Sequence, residues 1–70
     1  MLTEQVVIEN TSKSKITKIS ITDVLGREVL ISNPNQLGNI KLNTESFNKG
    51  VYLVRVWSDS DSFSVKLLKE

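Results

Sequence analysis

Two alternating apolar stretches near the end of the chain decide its fold class. In residues 50–57, Tyr52, Val54 and Val56 fall on one face of an extended strand and Val51, Leu53, Arg55 and Trp57 on the other. In residues 63–68, Phe63, Val65 and Leu67 interleave with Ser64, Lys66 and Leu68. Successive strand side chains point to opposite faces, whereas an amphipathic helix needs apolar residues at i, i+3, i+4 and i+7. No window of this chain sustains that helical spacing over three turns. With Ser58, Asp59, Ser60, Asp61 and Ser62 as the turn, the two stretches make a β-hairpin that carries the chain to its final residue. The face bearing Arg55 cannot be wholly buried unless that side chain reaches solvent or a partner.

The upstream sequence extends the pattern. Val6, Val7 and Ile8 read as a strand closed by the polar loop 10–15, and Ile19 and Ile21 alternate with Lys18, Ser20 and Thr22. Asp23, Val24, Leu25, Gly26 and Arg27 form a turn in which Gly26 takes positive φ cheaply and the Asp23 carboxylate accepts from its own backbone. Val29, Leu30 and Ile31 return as the partner strand. The loop 32–39 holds Asn33-Pro34-Asn35 and Gly38, the densest turn chemistry in the chain. Ile40 and Leu42 mark a short strand, Phe47 is the apolar anchor of the crossing to the next one, and Gly50 opens the long strand. Alanine is absent while Val, Ile and Thr are abundant, which suits pleated, half-buried surfaces. The expectation is an all-β chain of six or seven short, mostly antiparallel strands in a small two-sheet sandwich.

Seventy residues make a single domain, 1–70, at a size where one core supplies roughly 3–5 kcal/mol. The absence of Cys and His removes disulfides, thiol nucleophiles, zinc sites and the usual base near neutral pH. No cofactor or metal is expected. A net charge of +1, with both signs dispersed, gives no footprint for nucleic acid. No apolar run approaches the roughly 20 residues of a membrane span, and Met1-Leu2-Thr3-Glu4-Gln5 has no signal-peptide character. The chain is therefore either cytoplasmic or a fragment whose targeting segment lies elsewhere.

Few motifs carry chemistry. Asp59, Asp61 and Glu70 match three positions of a calcium-binding EF-hand loop, but Phe63 and Ser64 stand where an oxygen ligand and Gly are needed, so the turn reads as solvated. Asn10-Thr11-Ser12 is a formal glycosylation sequon of low specificity. Ser12-Lys13-Ser14-Lys15 sits in a loop rather than on a helix, and no acid/base pair is evident, so the chain does not read as an enzyme. Trp57 beside Arg55 admits a sugar-platform or protein-contact role, against the plainer reading that it closes one end of the core.

The blocks together resemble a known family. Thr17-Lys18-Ile19-Ser20-Ile21-Thr22-Asp23-Val24-Leu25-Gly26-Arg27-Glu28-Val29 looks like the strand, Asp or Asn, two residues, Gly, basic residue, x, Val segment of the type A C-terminal sorting domains of the Bacteroidetes type IX secretion system. Ser46-Phe47-Asn48-Lys49-Gly50-Val51-Tyr52-Leu53-Val54-Arg55-Val56 is similar to that family's Gly-x-Tyr-x-Val strand with its preceding Leu- or Phe-containing approach. Phe63-Ser64-Val65-Lys66-Leu67-Leu68-Lys69-Glu70 resembles its terminal strand. Members usually open with a Tyr-Pro-Asn-Pro-like segment, which Met1 to Gln5 lacks, so the junction between cargo and domain is not expected within the chain.

The resemblance implies an Ig-like β-sandwich that ends a longer cargo protein and serves as a non-catalytic address. The cargo would reach the periplasm by its own signal peptide and cross the outer membrane through the type IX translocon. A sortase-like protease would then remove the domain, leaving the cargo at the cell surface or secreted. Gly26, Gly50, Tyr52 and Val54 are expected to be architectural. The strand through Lys66, Leu67, Leu68, Lys69 and Glu70 is expected to be what the partner reads, its open edge also permitting weak self-association. The competing reading is a generic Ig-like or fibronectin-like accessory module for spacing, or for carbohydrate or protein binding.

Overall fold

A computed structural model describes residues 5–11 and 13–69, and among them six strands and no helix are formed. They are β1 (Gln5–Ile8), β2 (Ile16–Asp23), β3 (Glu28–Ser32), β4 (Ile40–Asn43), β5 (Gly50–Ser58) and β6 (Ser62–Lys69). Every pairing is antiparallel. β3, β2, β5 and β6 form one sheet in that order, and β1 pairs with β4 in a second. The chain changes sheet three times, at β1 to β2, β3 to β4 and β4 to β5, while the β2–β3 and β5–β6 connections are hairpins within the larger sheet.

Alternation decides which side chains form the core. Ile19 and Ile21 on β2 and Tyr52, Val54 and Val56 on β5 face inward and pack with Ile8, Ile40 and Leu42 from the smaller sheet, together with Ile16 and Leu67. One cluster drawn from both sheets makes the architecture a face-to-face sandwich. The fold class read from the sequence holds, with six strands among the described residues and all pairings antiparallel.

The smaller sheet does not cover the larger one evenly. Strands lie about 4.8 Å apart, so two of them span only part of a four-stranded face. Phe63 and Val65 share the inward register with Val56 and Val54, yet remain 45% and 46% exposed on the edge strand β6. Trp57, expected to close the core, instead lies on the outer face of the larger sheet. It follows Val56 and therefore points the other way, with Lys18 Nζ 4.9 Å from its ring centroid.

Two loops are tied down by bonds that join distant residues. The 32–39 loop is pinned to the start of β2, where Ile16 N–H donates to Gln36 O and Gln36 N–H returns to Ile16 O. The β5–β6 turn closes on Ser58, whose N–H donates to Asp61 O at 2.8 Å, and Asp59 N–H donates to Lys15 O. Asp61 Oδ1 accepts from Ser62 N–H, so this carboxylate works as a turn cap. Met1 to Glu4, Ser12 and Glu70 lie outside the described residues, and with them Glu70 of the terminal strand, the third residue of the sequon and the opening segment.

Candidate functional site

The terminal hairpin is built from a corner that precedes it. Asn43 Oδ1 accepts from Glu45 N–H, which turns the chain as it leaves β4, and Thr44 O accepts from Phe47 N–H at 3.0 Å. The Phe47 ring packs against that of Tyr52, with centroids 5.0 Å apart and planes tilted by 41°. Tyr52 in turn sends its hydroxyl back to Asn48 O at 2.6 Å. A tyrosine near the start of a strand that bonds to backbone a few residues upstream is a corner device of immunoglobulin-type sandwiches. Gly50, between Asn48 and Tyr52, has φ of 151°, a conformation that side-chain-bearing residues rarely adopt.

The far end of β6 locks into this corner. Lys69 is only 9% exposed, and its ammonium donates to Thr44 O at 3.0 Å, so this carbonyl serves two donors. Neither Thr44 nor Lys69 signals this in the sequence, because a lysine in a terminal Lys-x-x-Lys pattern reads as solvated. Thr44 is wholly buried, and its Oγ1 has no hydrogen-bond partner among the described residues.

The structure thus divides the residues expected to meet a partner. Leu67 joins the core and Lys69 the corner, while Lys66 and Leu68 are exposed on the outer face. Of the architectural set, Val54 and Tyr52 are buried in the cluster and Gly50 opens β5. Gly26, with φ of 83°, sits in the β2–β3 turn, where its N–H donates to Asp23 O at 3.0 Å.

That turn is held by one carboxylate. Asp23 Oδ1 accepts from Leu25 N–H and Arg27 N–H, and Oδ2 accepts from the Arg27 guanidinium at 2.8 Å. Desolvation in the turn pushes the Asp23 carboxyl upward, but the Arg27 backbone and side-chain bonds, the Leu25 N–H and the Arg27 charge outweigh it. The group is held below the usual aspartate range. The turn and the corner face each other across an open groove of about 590 Å³, lined by Leu25, Arg27, Phe47 and Tyr52 among others.

The two edges of the larger sheet differ. β3 has five residues and a register shift against β2, both of which blunt an edge. β6 has eight residues, and its register against β5 is unbroken from Gly50↔Lys69 to Trp57↔Ser62. It contains no Pro, and Lys66 is its one exposed charge. Of the two edges of the larger sheet, β6 is the longer and the one without a register shift.

A family model described as the secretion system C-terminal sorting domain matches residues 2–70. No curated protein and no solved structure matches the chain.

Proposed function

Because the chain belongs to the family of secretion system C-terminal sorting domains, we propose that it is the last domain of a longer cargo precursor and carries that cargo from the periplasm across the outer membrane through the type IX translocon. A sortase-like protease then removes the domain, and the cargo stays at the cell surface or is released. The domain catalyses nothing itself. The family match over residues 2–70 carries this reading.

Within the domain, β6 is the surface the translocon reads. The long, unshifted edge of β6 offers backbone groups for strand addition, and Lys66 and Leu68 project from it toward solvent. Leu67 and Lys69 hold the strand in place from behind, one in the core and one on Thr44 O.

The test is a fusion of the chain behind a periplasm-directed fluorescent protein in a host with a working type IX system. Fluorescence is expected at the surface or in the medium, and retention in the periplasm overturns the sorting assignment. A Lys66→Glu/Leu68→Ser double variant leaves Leu67 and Lys69 untouched and is expected to reduce export of a folded reporter. Unchanged export of that variant removes β6 from the reading surface. Deleting residues 67–70 is expected to abolish export, but it also strips Leu67 from the core and Lys69 from the corner, so the double variant is the discriminating one.

A further inference from the structure

From the two faces of β6 we infer that the strand added to its edge is itself two-faced, carrying apolar residues on the core side and carboxylates on the outer side, with Arg55 as the residue that selects for acid. This rests on the reading of β6 as the recognised edge.

On the core side, Phe63 and Val65 are nearly half exposed although they share the inward register with buried Val56 and Val54. A neighbouring strand on the free edge would place its own inward side chains beside them, and apolar ones would remove that surface from water. The outer side is different in kind. There Arg55 lies opposite Ser64, and Trp57 opposite Ser62. The two serines are small and border an open depression of about 210 Å³, lined by Arg55, Val56, Trp57, Ser62, Phe63 and Ser64. A carboxylate on an added strand, opposite Ser64, reaches the Arg55 guanidinium through this depression.

The charge pattern supports the same partner. Lys66 lies diagonal to Arg55, because it opposes Leu53 two residues along β5. Among the described residues the ion pair formed is Arg27–Asp23, so neither Arg55 nor Lys66 is ion-paired; on the β2 side Arg55 shares a depression with Glu28, whose Oε2 accepts from Ser20 opposite Arg55. Both side chains are exposed. An exposed cation on the edge strand and a second one strand in favour acid on the incoming strand and disfavour a basic one.

The inference is tested with three capped octapeptides, N-methylated at alternate residues so that only one edge can pair. They alternate valine with glutamate, glutamine or lysine. Binding to the 70-residue chain is followed by amide chemical shifts and hydrogen exchange. The glutamate peptide is expected to bind about tenfold more tightly than the glutamine one, and the lysine peptide more weakly still. Perturbation and new exchange protection should centre on β6. Arg55→Gln is expected to remove most of the glutamate preference and Ser64→Leu to do the same by filling the depression, whereas Lys41→Gln on β4 leaves it intact. Equal affinity for all three peptides, no binding by any of them, or perturbation centred on β3 or on the β1–β4 sheet overturns the inference. If export still depends on the outward residues of β6 while the peptides are not discriminated, the inference fails and the sorting assignment stands. Retention of the unaltered fusion in the periplasm would instead defeat the sorting assignment, whatever the peptides do.

Discussion

The ammonium of Lys69 donates to the carbonyl of Thr44 at 3.0 Å from a site nearly closed to solvent, so the end of β6 is fastened to the corner that launches β5. These residues stand 25 positions apart, and the bond joins the last strand to the loop between the sheets. Lys69→Met keeps the aliphatic stem but removes the donor. It is expected to cost about 1.5–3 kcal/mol, the range for hydrogen bonds to charged groups, measured as a lowered urea midpoint. Lys66→Met, on the exposed face of the same strand, should change stability by less than about 0.5 kcal/mol. Equal effects of the two variants would contradict the fastening role.

Tyr52→Phe isolates the corner bond. The ring stays in the core against Phe47, and only the donor to Asn48 O is lost. The expected cost is about 1–2 kcal/mol, since the variant leaves a part-buried carbonyl without its donor. Hydrogen exchange should then quicken across residues 44–50 before it does in β2. Uniform quickening would mean that Tyr52 matters only to global stability.

Much of this was legible in the sequence, and the reason is periodicity. The alternation of Ile19 with Ile21, and of Tyr52 with Val54 and Val56, marks the inward face, and residues 23–27 show both cap and glycine. What the sequence withholds is the consequence of sheet width. Phe63 and Val65 obey the inward alternation but stand beyond the cover of a two-stranded sheet. Lys69 is hidden by the same logic in reverse, as a polar residue with a long apolar stem whose head finds a carbonyl across the molecule. The depression beside Arg55 needs the β5–β6 register, which places serines rather than larger residues opposite Arg55 and Trp57.

Acid should loosen the β2–β3 turn first. The Asp23 carboxyl is held below its unfolded value of about 3.9. Between the lowered folded value and about pH 3.9 the unfolded chain binds more protons, so stability rises with pH across that window. The contribution is complete above the unfolded value and disappears as pH falls through the folded one. Asp23→Asn retains an acceptor for Leu25 N–H and Arg27 N–H but removes the charge facing the Arg27 guanidinium. Urea midpoints of wild type and variant should therefore differ at pH 6, and the difference should shrink progressively as pH falls below about 3.9. A difference that does not shrink on acidification would place its origin outside the carboxylate charge.

Gly26 and Gly50 require different substitutions to probe them. At Gly26, φ of 83° is close to the left-handed region that Asn tolerates, and no atom lies within 4 Å of an added Cβ. Gly26→Asn should cost less than about 1 kcal/mol, and the β-branched Gly26→Val about 1–3 kcal/mol. Gly50 at φ of 151° lies where Asn gains nothing, so Gly50→Asn and Gly50→Ala should both cost about 1–3 kcal/mol. Thermal melts of the four variants decide between conformation and crowding. A penalty at Gly26 that grows with side-chain volume irrespective of branching would point to crowding instead.

Val54 and Val65 face each other across β5 and β6 with the same side chain and the same inward register, yet one is 1% exposed and the other 46%. Truncation of Val54 to Ala removes two buried methyl groups and leaves a cavity, at about 2–3 kcal/mol. Val65→Ala gives up surface that water already reaches, and about 1 kcal/mol or less is expected. Against a total of roughly 3–5 kcal/mol for a core of this size, the first change endangers folding and the second does not. The order should reverse for partner binding, where Val65 supplies surface to an added strand and Val54 does not. Chemical denaturation paired with binding of the valine–glutamate peptide measures both quantities on the same two variants. If Val65→Ala weakens binding no more than Lys41→Gln does, the core side of the β6 edge takes no part in recognition.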